Sequence, residues 1–254
     1  MARTDRAAAA QAIRREAFVD AGLRLIQAKG YEHMSVQDVL DELDASKGAF
    51  YHYFDSKRAL LLAAIERMTD VVLATLAPLL EDPTLAALEK LESLFNGIAA
   101  WKSERKDLML EALRTWASDD NAIVREKLRR STRERLVPII AAIVRQGVDE
   151  GRFAVGSPDE TALVIVLLME GFQEVAGELF FARQAGTVSF EAVEHMVASQ
   201  VETMDRILGL PPRSFKGLDR DIVRLWFGSQ RRRCRWRVPV RLGFSRQPYR
   251  ITRA

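Results

Sequence analysis

"SVQDVLDELDASKGAFYHYFDSKRAL", residues 35–60, places three serines at helix-start positions around five consecutive ring-bearing side chains, Phe50 to Phe54. Ser35 with Asp38 three residues on is an N-cap signature, and Val36, Val39, Leu40 and Leu43 form a narrow apolar stripe, so a helix of about eight residues is expected here. Ser46 can cap a next helix running to about Phe54, and Asp55 or Ser56 can open another. Between the first two, Leu43 to Ser46 must make a tight turn containing a left-handed residue, a role Asp44 fills less easily than glycine would.

At 100° per residue, Phe50, Tyr53 and Phe54 share one arc of the short helix, and Lys47, Gly48, Tyr51 and His52 share the opposite one. The first arc is core material. The second is a donor-rich, partly flat surface of the type that reads base edges and grips phosphates. Two short helices joined by such a turn make a helix-turn-helix, whose second member enters the major groove.

The helical pattern continues on both sides. Ile13, Phe18, Ala21, Leu25 and Ile26 fall at helical spacing before the Gly30 stop. The helix opened at residue 55 or 56 runs toward Pro83, and five more are expected at roughly 84–102, 107–117, 120–150, 159–182 and 188–208. No strand alternation of useful length precedes residue 210, so the fold class is all-α. Gly209, Pro211 and Pro212 end the last helix, and the helical period is lost after them.

Charge divides the chain at the same place. The formal net charge is +3, but residues 211–254 carry 13 Arg/Lys against Asp219 and Asp221, a net of +11, while residues 1–210 carry 25 against 33, a net of −8. The basic balance belongs to the tail and is no argument that the rest binds nucleic acid. The tail is expected to be weakly structured: a non-native extension, a solvated or interface-wrapping segment, or a nonspecific nucleic-acid contact.

The stretch 35–60 resembles the DNA-binding motif of the TetR family of bacterial transcriptional regulators: a Ser, an acid three later, a short turn, then Ser, Gly, a hydrophobe, Tyr, His, an aromatic, Phe, and a Lys opening the fourth helix. Leu40 stands where that family usually has alanine, and Asp44 where it usually has glycine. The resemblance implies a three-helix helix-turn-helix domain over 1–56 and a larger helical ligand-binding and dimerisation bundle over 57–210, with 211–254 as the tail. It implies Lys47 and Ala49 facing base edges, Gly48 allowing close approach, and Ser46 on the same approach. Tyr51, His52 and Tyr53 would sit at the groove edge, and Ser35 and Lys57 on phosphates. The partner would be a palindromic double-stranded operator with half-sites about 34–36 Å apart, read by a homodimer.

Helices 159–182 and 188–208 are apolar enough to supply a four-helix dimer interface through 159–208, the alternative being burial of the same faces within the monomer. Phe95, Trp101, Met109, Leu113, Trp116, Met169, Phe172 and Gln173 are candidates to line a pocket for a small-molecule effector, with Glu170 and His195 as further polar groups, although such a stripe also reads as plain core. A ligand-responsive repressor is the expectation; the alternative is a helical small-molecule carrier or structural protein without specific DNA binding.

Other classes find no support. His33, His52 and His195 are scattered, and no metal-ligand spacing, phosphate-cradling loop or nucleophile elbow occurs, so no enzyme, metal or cofactor is expected. The lone Cys234 forms no intramolecular disulfide, and the first residues carry Asp5 and Glu16 where a signal peptide needs an apolar run. The apolar run 162–169 stops at Glu170, far short of the roughly 20 residues that span a bilayer. A cytoplasmic protein with no membrane partner is expected.

Overall fold

The structure, a computed structural model, describes residues 2–116 and 122–228. Among these the chain forms ten helices: α1 (Ala2–Lys29), α2 (Val36–Leu43), α3 (Lys47–Tyr51), α4 (Lys57–Glu81), α5 (Ala87–Glu104), α6 (Lys106–Trp116), α7 (Ala122–Asp149), α8 (Pro158–Gln184), α9 (Phe190–Leu208) and α10 (Arg220–Phe227). No strand occurs among the described residues.

Two apolar cores organise them. Phe18, Val19 and Ala21 of α1, Val39 and Leu40 of α2, Phe50 and Phe54 form the first with Leu60, Leu61, Ala63 and Ala64 of α4. The second gathers Leu91 and Leu94 of α5, Ile140 and Val144 of α7, Ile165 and Val166 of α8, and Met204 and Leu208 of α9 around Val72 and Leu76 of α4. Helix α4 therefore contributes its first half to one core and its second half to the other. A rigid, hydrogen-bonded rod with one end in each is a physical link between them.

Leu40 is 3 % exposed and lies in the first core. Helix α3 closes at Tyr51, earlier than expected, but the Phe54 N–H still bonds the Phe50 carbonyl at 2.9 Å, so the coil winds on through the turn. Helix α5 starts at Ala87, not 84, because Asp82 Oδ1 accepts from both the N–H and the hydroxyl of Thr84 and holds a turn there. Its Ala86 cap has no side-chain acceptor, and Glu150, from just past α7, accepts the Ala87 N–H at 3.1 and 3.2 Å instead.

The expectation of a weakly structured tail from residue 211 fails for 211–228, which fold onto the second core. Asp205, 3 % exposed, accepts the N–H groups of Arg213 (2.7 Å) and Phe215 (2.8 Å), and Phe215 enters the core with 4 % exposed. Asn96 of α5 donates to the Gly217 carbonyl at 3.0 Å and accepts from the Asp219 N–H at 2.9 Å, after which Asp219 caps α10. Helix α10 packs on α5 and α8: Trp226 Nε1 donates to Ser103 Oγ (2.8 Å), and Arg183 Nε donates to the Phe227 carbonyl (3.2 Å). Irregular backbone between Pro211 and Asp219 hides this from a periodicity argument, because much of what orders it is side chains more than 100 residues away. Residues 229–254, with most of the tail's arginines, lie outside the described residues.

Candidate nucleic-acid interface

Three serine caps set the local frame. Ser35 Oγ accepts the Asp38 N–H at 3.1 Å, Ser46 Oγ the Ala49 N–H at 3.2 Å, and Ser56 Oγ the Ala59 N–H at 3.2 Å. Each satisfies an otherwise orphaned first-turn donor, which fixes where α2, α3 and α4 begin. The turn between α2 and α3 passes through Asp44 at φ 48°, ψ 49°, the left-handed conformation, with its N–H directed at the Asp41 and Leu40 carbonyls.

Beneath α3 lies an aromatic floor. Phe50 is fully buried and Phe54 3 % exposed; Phe18 meets Phe50 edge-on at 5.7 Å between centroids and Phe54 at 6.3 Å. Such edge-to-face contacts add about 0.5–1.5 kcal/mol per pair beyond area burial and fix ring orientation, hence helix orientation. The Arg15 guanidinium covers the Phe54 ring at 5.3 Å.

The opposite arc faces outward. Ser46, Lys47, Gly48 and His52 are exposed, Tyr51 is 53 % exposed although a large aromatic, and Ala49 and Tyr53 are partly buried. The structure thus brings Ser46, Lys47, Gly48, Tyr51 and His52 onto one surface and leaves Tyr53 at its edge, where its ring packs on Phe18 at 5.8 Å and on His52 at 4.8 Å. A Cβ on Gly48 would meet only Ser46 Oγ, at 3.9 Å, so no neighbouring element obstructs this face.

Two residues expected on phosphates are otherwise engaged. The N–H and hydroxyl of Ser35 both donate to Asp38 Oδ2, at 2.6 and 2.7 Å, so both its donors are spent within the cap of α2. Lys57 is partly buried, its Nζ 4.2 Å from the Tyr31 ring centroid and donating to the Glu32 carbonyl at 3.4 Å. Burial pushes the Lys57 ammonium below its usual pKa, with Glu32 and then Asp38 acting in the other direction. Sequence reasoning missed Tyr31, 6 % exposed; its place directly after the Gly30 stop was the available signal.

A family model for "Bacterial regulatory proteins, tetR family" matches residues 18–64, and a "Tetracyclin repressor-like, C-terminal domain" model matches 108–189. Together they account for about half of the chain.

The chain belongs to the TetR family.

Among TetR-family and related regulators, it is 46 % identical over 52 residues to an uncharacterized HTH-type transcriptional regulator in the lacX 3′ region of Lactococcus lactis subsp. lactis, covering 20 % of this chain and 26 % of that protein. It is 29 % identical over 140 residues to the HTH-type transcriptional regulator TcmR of Streptomyces glaucescens, 53 % of this chain and 61 % of that one. The first three curated relatives are each matched over only 18–26 % of their own length. In fold, the chain is similar to Thermus thermophilus FadR, a TetR-family transcriptional repressor solved with lauroyl-CoA: TM-score 0.55, 19 % identity, covering 75 % of this chain and 94 % of that one.

The residues proposed for an effector pocket are not gathered around one open space. Met169 is buried in the second core, with Phe95 and Trp101 packed against that core. Met109 instead lines an apolar crevice of about 10 Å³ between α6 and the first core. Leu113 closes on Gly177: a Cβ there would stand 2.9 Å from Leu113 Cδ1, so any larger residue at 177 would displace the Leu113 side chain. Phe172 is partly buried, and Gln173 is exposed and accepts from Lys102 Nζ at 3.4 Å. Trp116 ends α6 with its side chain outside the described part. Glu170 is committed to Arg133 at 2.9 and 3.1 Å, and His195 is exposed. Lys102, which the sequence did not single out, has its pKa pushed down by burial.

Among the described residues no three His, Cys, Asp or Glu gather as a metal site, and no helix is long and apolar enough to cross a membrane.

Proposed function

We propose that this TetR-family chain is a homodimeric, ligand-responsive transcriptional regulator, acting as a repressor, that reads a palindromic DNA operator through α3. The observation that carries the reading is the division of α3. Phe50 and Phe54 anchor it in the core, while Lys47, Gly48, Tyr51 and His52 stay exposed on the opposite arc. Lys47 and Ala49 face base edges, Tyr51, His52 and Tyr53 meet the groove wall, and Lys57 holds a phosphate. Ser46 joins them, because its oxygen accepts from Ala49 and its proton is left to donate to phosphate. Ser35 contributes by capping α2, and reaches a phosphate only by giving up a bond to Asp38.

The unit over 1–56 is the reading head, and 57–210, with 211–228 folded onto it, the effector and dimer body. Dimerisation is supported by α8, where Leu163, Val164, Leu167 and Val175 remain 41–48 % exposed, and where Val164, Leu167, Gly171 and Val175 follow a helical stripe. Helix α9 contributes less, since Val193, Met204 and Leu208 are buried within the protomer. Two-fold pairing converts one short helix reading a few base pairs into a pair reading half-sites about 34–36 Å apart. Effector binding in the body favours a conformer with misplaced reading heads, and α4, rooted in both cores, carries the change.

Selection of genomic fragments by the purified chain, followed by binding to the best fragment at several salt concentrations, tests this. A palindromic consensus is expected, together with a loss of about tenfold or more in specific affinity for Lys47→Ala. Binding that is blind to sequence and indifferent to Lys47→Ala would refute it.

A further inference from the structure

Tyr31 touches both the Lys57 ammonium and the apolar crevice beside α6, a second connection next to the one that α4 makes directly. On one side it carries Lys57, whose ammonium lies 4.2 Å from its ring centroid. It also lines the crevice of about 10 Å³ that it shares with Ile26 of α1, Leu61 and Met68 of α4, and Met109 and Ala112 of α6. That space holds at most one water and offers none of the polar partners a water needs, so it behaves as packed apolar interior. Packed interior transmits displacement: α6 cannot advance toward the head without pushing on what lines the crevice. The rest of α6 is tied to the body, through Leu113 against Gly177 of α8 and through Lys106 Nζ, which donates to the Leu225 carbonyl of α10 at 2.5 Å.

We propose that Tyr31 is a positioning residue that couples α6 to the phosphate contact of Lys57, so that a shift of α6 turns that contact off while leaving the base-reading face of α3 intact. The inference rests on the reading of Lys57 as a phosphate contact. The ring holds the ammonium by its negative face, and the Glu32 carbonyl fixes the second coordinate. A tilt or slide of the ring carries the ammonium with it or releases it. Lys57 has also given up part of its hydration to sit there, as the fall in its pKa on burial indicates. Its position therefore depends on Tyr31 more than a freely solvated lysine's would.

The test reads the slope of log affinity against log salt on the selected operator, whose magnitude falls by about 0.9 for each phosphate that the protein no longer neutralises. Ala112, 6 % exposed, is the place to push, because Ala112→Leu drives a larger side chain into the crevice from α6 without touching DNA. Lys57→Met is expected to lower the slope by about 0.9 per bound protomer, and Ala112→Leu to lower it equally with the base consensus unchanged. In a Tyr31→Leu background, Ala112→Leu should have no further effect, whereas Tyr31→Phe, which keeps the ring, should preserve the wild-type response. If Ala112→Leu does not fold by circular dichroism, Ala112→Val makes a smaller intrusion with the same expectation. A wild-type slope in the Ala112 variant beside a reduced slope in Lys57→Met would overturn the coupling alone. An unchanged slope in Lys57→Met would overturn the phosphate role itself, and the coupling with it.

Discussion

Ser35 and Asp38 hold each other at the start of α2: one carboxylate oxygen of Asp38 accepts the Ser35 N–H at 2.6 Å and its hydroxyl at 2.7 Å, while Ser35 Oγ accepts the Asp38 N–H at 3.1 Å. Lys29 Nζ reaches the same carboxylate oxygen at 2.7 Å. The Lys29 contact, and then the Ser35 bonds, hold the Asp38 carboxyl down at about 2, against 3.8 for an ordinary aspartate.

A pKa lower in the folded than in the unfolded chain gives stability that is present above the unfolded value and is lost as pH falls through the folded one. Asp38 should therefore contribute to the acid unfolding limb between about 4 and about 2. Urea melts across that range should show a shallower limb for Asp38→Asn than for the wild type; parallel limbs would contradict the role assigned to this cap.

Asp44 sits left-handed at φ 48°, in a conformation that costs a residue with a Cβ about 1–2 kcal/mol, less for aspartate than for most. Glycine adopts it freely but has more entropy to lose on folding. Asp44→Gly should raise stability by about 0.5–1 kcal/mol, and Asp44→Val should lower it by more. Denaturant midpoints of the two variants check the ordering.

Leu167 lies in the exposed stripe of α8 with 45 % of its surface accessible. Leu167→Glu should leave the protomer folded while placing a charge in the centre of the proposed dimer interface, an unpaired burial that associating chains avoid. Sedimentation should then report a monomer and circular dichroism native helicity, and operator affinity should fall, since the proposed two-fold reading of half-sites is lost. A dimer that persists in this variant would move the interface elsewhere.

Phe215 and Asp205 decide where the folded chain can be cut. Truncation after Leu210, the boundary read from the sequence, would remove Phe215 and expose the core it covers, while truncation after Gly228 would spare both. Phe215→Ala should cost about 3–5 kcal/mol. Asp205→Ala, which leaves the Arg213 and Phe215 N–H groups without acceptors, should cost about 2–4 kcal/mol. Thermal melts are expected to fall in both variants, and to fall further for the cut after Leu210 than for the cut after Gly228.

The elements legible in the sequence are those set by near neighbours. Serine caps at 35, 46 and 56 bond N–H groups three residues on, the apolar stripe of α2 repeats within eight residues, and the turn at Asp44 is forced by the short distance between two helices. The buried and exposed arcs of α3 follow from helical period alone, because opposite faces of a one-turn helix cannot both reach the core. These interactions span a few residues, so spacing carries them, and the resemblance to the TetR motif lies within the same stretch, 35–60.

What only the tertiary structure decided depends on partners far apart in the chain. The order of 211–228 comes in large part from Asn96, Ser103 and Arg183 supplying hydrogen bonds across up to 123 residues, with no periodic pattern to announce it. Ring contact between Tyr31 and Lys57 is likewise a product of how α1 and α4 cross, as is the division of the proposed effector residues between a packed core and the crevice beside α6. Local propensity determines where helices begin and which face is apolar; which faces meet is settled by the collective packing of all of them, and that information is spread over the whole chain.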